Sequence, residues 1–160
     1  MPISQKGPVV FMKIRYNCIT LLFLLAFMMA NKAEGKDTVN LVEYQWKNRL
    51  LLLFTPSPEG PVYIKLKEDL SRQEEEVLDR DLLIFHILES GETKLGNSPM
   101  PESSGDTLRE KYSIKSGTFT ILLIGKDGGV KLRREGPVEL DEIFSVIDAM
   151  PMRQREMKEN

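Results

Sequence analysis

The sequence predicts an α/β protein: a three-layer α/β/α sandwich around a mixed sheet, ending in a β-hairpin and a helix. Three observations predict it. Leu50 to Phe54, Leu82 to Leu88 and Thr118 to Ile124 are short, largely apolar runs, the pattern of strands covered on both faces. Amphipathic stretches of helical period lie between and after them. The third run ends in Gly125-Lys126-Asp127-Gly128-Gly129. Asp-Gly-Gly tolerates the positive φ of a tight hairpin turn, and Val130 to Glu135 beyond it alternates in character.

Taken in order, Val39–Tyr44 offers an extra strand, and the run at Leu50 is the first main strand. Residues 61–79 place Tyr63, Leu66, Leu70, Val77 and Leu78 near one helical face, with Pro61 suited to a first helical position. The run at Leu82 is the second strand. Gly91 to Gly105 holds three Gly, two Pro and three Ser, which predicts a mobile loop. Residues 103–112 put Leu108 and Tyr112 four apart, as a helix would, and residues 118–135 form the hairpin. Leu140, Ile143, Phe144 and Ile147 make a full i, i+3, i+4, i+7 set over 139–149. Pro151 then stops that helix, and 153–160 reads as a loose polar tail. A strand–helix–strand unit gives parallel strands, and the hairpin adds antiparallel ones.

The N-terminus reads as an export signal. Lys6, Lys13 and Arg15 precede a 13-residue apolar run from Cys18 to Ala30, and Ala33 and Gly35 supply small side chains beyond it. A membrane span needs about 20 apolar residues, so a cleaved signal peptide over 1–35 is favoured over an anchor. The cut is placed after Gly35, with Ala30 the alternative; Met1 or Met12 is the start. The domain then covers 36–152. Taking the four basic and one acidic residue of 1–35 from the 22 and 24 of the chain leaves 18 and 23, a net charge of −5.

Composition excludes more chemistry than it suggests. The chain has one cysteine, Cys18, and one histidine, His86. By itself it cannot build a Cys/His zinc site, a Cys-x-x-Cys redox pair or a disulfide framework. Its net charge of −2 gives no push toward nucleic acid. Neither a metal nor a cofactor is expected, nor a membrane attachment once the signal is gone.

The strand and helix order matches the thioredoxin-like layout, in which the first βα loop, here Thr55-Pro56-Ser57-Pro58-Glu59-Gly60-Pro61, carries the redox motif. Four blocks sharpen this: Tyr44-Gln45-Trp46-Lys47-Asn48-Arg49, Asp79-Arg80-Asp81-Leu82, Leu123 to Gly129, and Lys131 to Gly136. Over about residues 40–152 the chain resembles a domain-of-unknown-function family with a peroxiredoxin/thioredoxin-like fold. That domain type is found in sushi-repeat-containing proteins and a coiled-coil-domain matrix protein of animals, and as short secreted bacterial proteins. The resemblance implies a fold and an extracellular or matrix address rather than a chemistry. Ser116-Gly117 stands near the place where a thioredoxin carries its cis-proline.

Each candidate group has a plain structural reading beside the functional one. Thr55 and Ser57, at the head of a helix, could receive an anion or a peptide carbonyl; equally, they cap the helix while the prolines stiffen the turn. His86 shares the parity of Leu82, Ile84 and Leu88, and reads as a satisfied, partly buried histidine unless it meets a polar pocket. Arg133 and Arg134, with Lys126 and Lys131, could bind a carboxylate, sulfate or polysaccharide, or protect an edge strand by charge. Asp79-Arg80-Asp81 falls short of a calcium loop and reads as a salt-bridged turn. No catalytic residue is assigned.

The sequence therefore predicts a secreted or periplasmic thioredoxin-like protein without redox cysteines. Its predicted role is binding to an unidentified protein or to an envelope or matrix component. Two alternatives remain: a peroxiredoxin-type oxidoreductase by fold analogy, and a small anion or ligand carrier at the 55–61 loop. Mass spectrometry of the protein recovered from the exported fraction is expected to find Lys36 at the N-terminus; a chain still carrying Cys18 would refute cleavage.

Overall fold

Seven consecutive residues, Arg49–Thr55, form β1, and every one of them is buried. The computed structural model describes residues 38–101 and 103–159. The predicted signal peptide, with Cys18 and Met12, lies outside them. After β1 come α1 (Pro61–Arg72), α2 (Glu74–Asp79), β2 (Leu82–Leu88), β3 (Lys94–Leu95), β4 (Ser98–Pro99) and α3 (Ser104–Lys111). The chain continues through β5 (Thr120–Ile124), β6 (Val130–Glu135), α4 (Leu140–Asp148) and α5 (Pro151–Glu159). The sheet order is β4-β3-β2-β1-β5-β6. Only β1 and β2 run parallel; the other pairings are antiparallel.

The leucine run divides by strand parity. Leu51 and Leu53 join Leu82, Ile121, Leu123 and Leu132 on one face, under α1 and α4. Leu50, Leu52 and Phe54 join Phe85, Ile87, Leu122 and Ile124 on the other, with Leu108 of α3. A period-2 strand sends alternate side chains to opposite faces, so a run apolar throughout fills two cores at once. The mixed sheet, the layers and the closing hairpin agree with the expectation.

Five local expectations need correction. Val39–Tyr44 is not a strand: Leu41–Tyr44 is a 3-10 turn, started by the Asn40 side chain accepting from the Val42 N–H. The helix over 61–79 breaks at Gln73, and Leu78 on the second piece is exposed. Part of the supposedly mobile 91–105 segment pairs onto β2 as β3 and β4, with Thr93 buried and the Met100 N–H bonded to its carbonyl. The alternation over Val130–Glu135 is interrupted: a register shift pairs Val130 with Ile124 but Leu132 with Leu123, and only Leu132 is buried, as befits an edge strand. The tail is not loose: Pro151 ends one helix and opens the next, and Arg153 is buried.

Charge pairing explains why α5 docks despite its polarity. Arg153 donates to the Asp79 carbonyl and pairs with the carboxylates of Asp79 and Asp148. Glu156 accepts from Arg49 at 2.9 Å and from Lys126 at 2.7 Å. Burial works to raise the Glu156 pKa, but the hydrogen bonds from Lys126 and Arg49 hold the carboxyl below its ordinary value. Asp79-Arg80-Asp81 is indeed salt-bridged, though chiefly to distant elements: Arg80 binds Asp148 bidentately and stacks over Phe144, and Asp81 pairs with Lys126.

The hairpin turn is anchored from outside. Gln45 Nε2 donates to the Asp127 carbonyl at 2.8 Å, and the Trp46 N–H to the Lys126 carbonyl at 2.7 Å. Gly128 takes a φ of 81°, which favours glycine, and a Cβ there would lie 2.7 Å from Gln45 Nε2 and displace the side chain that holds the turn.

Glu156→Ala removes the carboxylate that accompanies a guanidinium only 1% exposed. An unmatched buried charge is expected to cost about 3 kcal/mol, the low end for such losses because Glu156 is itself partly exposed. The exposed Arg155→Ala change on the same helix should fall within about 0.5 kcal/mol of wild type. Urea denaturation measures both; equal stability of the two variants would show that α5 does not secure β1.

Candidate functional site

The face of β2 that carries Ile84, His86 and Leu88 is less covered than the matching face of β1, where Leu51 and Leu53 are completely buried. The β3–β4 hairpin extends the sheet beyond β2. A groove of about 600 Å³ lies between α1 and this outer part of the sheet. Tyr63, Lys67 and Ser71 line it from α1; spaced four apart, they fall on one stripe of the helix. His86 and Lys94 line it from the sheet and are direct cross-strand partners, so both side chains project from one face.

The floor is a hydrogen-bonded pair. The Tyr63 hydroxyl lies 3.0 Å from His86 Nδ1, with the rings edge to face at a centroid distance of 5.7 Å. Burial lowers the His86 pKa to about 4, and the positive charges of Lys67 and Lys94 push it the same way. Burial also raises the Tyr63 pKa. At neutral pH both groups are therefore uncharged. The phenol O–H is more acidic than a neutral imidazole N–H, so it is assigned as the donor to Nδ1 and the ring proton to Nε2, which has no hydrogen-bond partner among the described residues and is not sealed from solvent. Glu92 holds Lys94 at 3.2 Å, whereas Lys67 makes no ion pair among the described residues. Glu68 and Glu92 complete the charges around the groove.

The predicted binding loop lies beside one end of this groove, which Pro58 helps to line. Its hydroxyls are engaged within the loop. Thr55 donates to the Ser57 carbonyl, and Ser57 donates to the Glu59 carboxylate while accepting from the Glu59 N–H. The Ser90 hydroxyl donates to the Pro56 carbonyl and Arg109 to the Thr55 carbonyl, which fixes the loop against its neighbours. Glu89 accepts from the Gly117 N–H and lies 3.5 Å from Arg109. Neither Thr55 nor Ser57 caps the helix, however: its N-cap is Gly60, without a side-chain hydrogen bond, and the amide that Ser57 satisfies is that of Glu59, ahead of the first turn.

Arg133 and Arg134 do not converge on the loop residues or the groove. Arg133 donates to the carbonyls of Tyr112 and Ser113, and Arg134 pairs with Glu142. Lys131 pairs with Asp127, and Lys126 with Asp81 and Glu156. The basic hairpin is therefore an arrangement of ion pairs and carbonyl contacts. A second groove, of about 550 Å³, is bordered by Trp46, Met150 and Met152, but its cations Arg49, Lys126 and Lys131 are all paired.

Sequence reasoning set the condition that His86 would need a polar pocket, and the groove supplies one. Tyr63 was assigned only to the core, and Lys67 and Lys94 were not singled out. The i, i+4 spacing of Tyr63 and Lys67 was a usable signal; the pairing of Lys94 with His86 was not, because two-residue strands leave no periodicity to detect. Among the described residues, no group of three or more His, Cys, Asp or Glu gathers as a metal site, and no helix is long and apolar enough to cross a membrane.

The sheet, its flanking layers and the position of the loop at the end of β1 define a thioredoxin-like α/β fold. Several solved structures share it. The reduced 2-Cys peroxiredoxin of Plasmodium vivax is 19% identical at a TM-score of 0.56, over 73% of this chain and 72% of that one. The exposed lipoprotein thioredoxin of Streptococcus pneumoniae is 19% identical at 0.51, over 70% and 91%. Mycobacterium tuberculosis AhpC is 16% identical at 0.51, over 67% and 71%. Residues 40–156 match the family described as a domain of unknown function, DUF4174, and the chain belongs to that family.

The low His86 pKa has a stability consequence. Unfolded, the imidazole takes up a proton near pH 6.5; folded, it resists until about pH 4. Between those values the unfolded chain binds more protons, so stability falls as pH is lowered through that window and this contribution is constant outside it. The full difference corresponds to about 3 kcal/mol. Denaturation at successive pH values is expected to show this slope in wild type and a reduced one in His86→Gln. Identical slopes would place the acid sensitivity in the carboxylates instead.

Proposed function

We propose that this protein is an exported, thioredoxin-like binding module that works without thiol chemistry, and that its ligand site is the groove floored by Tyr63 and His86. The observation that carries this reading is the loop Thr55–Pro61. Where the fold places its redox motif, this chain has Thr55 and Ser57, both hydrogen-bonded within the loop. Residues 36–160 contain no cysteine. Thiol–disulfide exchange needs an attacking thiolate, and peroxide reduction on this fold proceeds through a cysteine sulfenic acid. A hydroxyl without an adjacent base replaces neither. The groove supports the binding half of the proposal: a concave site with an apolar wall and a few convergent polar groups is the usual form of a ligand pocket.

Export is supported by the basic, apolar and small-residue order of residues 1–35. The resemblance to animal matrix proteins favours an envelope or matrix component, or a protein attached to one, as the partner. Basic patches on the hairpin contribute little to such binding, because Arg134 and Lys131 are occupied by Glu142 and Asp127.

Peroxide consumption with a thiol donor tests the claim against the oxidoreductase alternative. The full chain and its Cys18→Ser variant are both expected to match a no-protein blank. Catalytic turnover that survives metal chelation would bring the enzyme reading back, and its loss in Cys18→Ser would identify the thiol responsible.

A further inference from the structure

The groove holds more information than its shape. Two charged groups act on the His86 imidazole, Lys67 from α1 and Lys94 from β3, and both are positive. Lys94 is engaged by Glu92, which leaves Lys67 as an ammonium with no partner among the described residues. With Tyr63 donating to Nδ1, the imidazole offers an N–H at Nε2. The groove therefore offers one cation that is unpaired among the described residues and one neutral donor. Pro58, Ile64 and Leu88 supply an apolar wall to the same groove.

We propose that this groove receives a small amphipathic carboxylate, its charged end held by the Lys67 ammonium and the His86 Nε2–H and its apolar body lying along Pro58, Ile64 and Leu88. The proposal rests on the binding-module reading and names the ligand class for that site. A carboxylate accepts hydrogen bonds from both donors and replaces the water on a lysine that has no other anion. A cationic ligand would meet two ammonium groups. A dianionic phosphate would find no arginine fork in the groove and would approach Glu68 and Glu92. The groove volume of about 600 Å³ suits a ligand of several carbons.

Tyr63 acts as a positioning residue. Its hydroxyl fixes the imidazole tautomer and ring orientation, so that the Nε2 proton is available to the ligand. The apolar wall sets the length of the carbon chain that can be accommodated, and the carboxylate sets its direction along α1.

His86 is the only histidine in the chain, so its ring resonances report on the site without assignment ambiguity. The full chain is titrated at pH 7 with hexanoate, hexanol and hexylamine while the His86 ring signals are followed by NMR. Hexanoate is expected to shift them saturably and to raise the pH at which the imidazole protonates, because a bound anion favours the charged ring. Hexanol should bind about tenfold more weakly or less, the usual worth of a charged hydrogen bond, and hexylamine should produce no saturable shift. Lys67→Met, a change at an exposed position, is expected to lower hexanoate affinity about tenfold, and Lys131→Met on the distant hairpin to leave it unchanged. Equal binding of hexanol and hexanoate, or full affinity in Lys67→Met, would overturn the carboxylate assignment but leave a binding module of another specificity. Absence of any probe-dependent shift at His86 would overturn the site itself, whereas the thiol-free reading stands or falls separately on the peroxide assay.

Discussion

A buried guanidinium at the head of the central strand sets the constraint on which much of this structure depends. Arg49 is 1% exposed and begins a strand that is buried on both faces throughout. A charge in that position must be matched, because an isolated buried ion costs far more than a domain's net stability can absorb. The chain matches it with the Arg80 carbonyl at 2.9 Å and the Glu156 carboxylate at 2.9 Å. The first partner fixes the turn entering β2; the second requires α5 to fold back over the end of the sheet. Lys126 shares Glu156 and also pairs with Asp81, which draws the hairpin turn into the same cluster. One charge thus organises four elements that are far apart in sequence.

This dependence explains which parts of the fold were legible in the sequence. β1, β2 and β5 announce themselves because their leucine-rich runs serve two cores, and α4 because Ile143, Phe144 and Ile147 repeat at helical period. The hairpin is visible in Asp127-Gly128-Gly129. By contrast, α5 carries almost no apolar surface, and its attachment depends on Arg153 and Glu156 finding partners 74 and 107 residues away. Hydropathy patterning records neither. The β3–β4 hairpin is hidden for a related reason: Gly, Pro and Ser read as loop, and β3, which carries β4, exists by hydrogen bonding to an edge of β2 that only the assembled sheet provides.

The two ends of the sheet differ in how they use their charges. At the head of β1, Arg49, Arg80, Lys126 and Arg153 all find carboxylates, although Arg49 Nε is left without a hydrogen bond. Such a lattice fixes the relative positions of β1, the hairpin and the last two helices, at a desolvation cost that its mutual pairing offsets. At the other end, the loop after β1 is likewise satisfied, with Thr55, Ser57, Glu59 and Ser90 bonded among themselves and to neighbouring carbonyls. Beside that loop, the Lys67 ammonium on α1 has no ion-pair partner among the described residues and borders the same groove as a neutral imidazole.

The proposed thiol-free use of the thioredoxin-like frame has a physical logic. In this frame the first helix leaves β1 at the loop and crosses the sheet, so its outward stripe and the adjacent strand must border a trough wherever the sheet extends beyond the helix. Here β3 and β4 provide that extension, and Tyr63 with His86 provides a floor that is polar but uncharged. Burial keeps the imidazole neutral, and the phenol hydrogen bond removes one of its two nitrogens from competition. In the proposed site, the remaining nitrogen and Lys67 would be the groups through which the groove distinguishes one ligand from another. Specificity in such a site comes from leaving few polar groups unmatched until the right partner arrives, because each unmatched group weakens every other occupant.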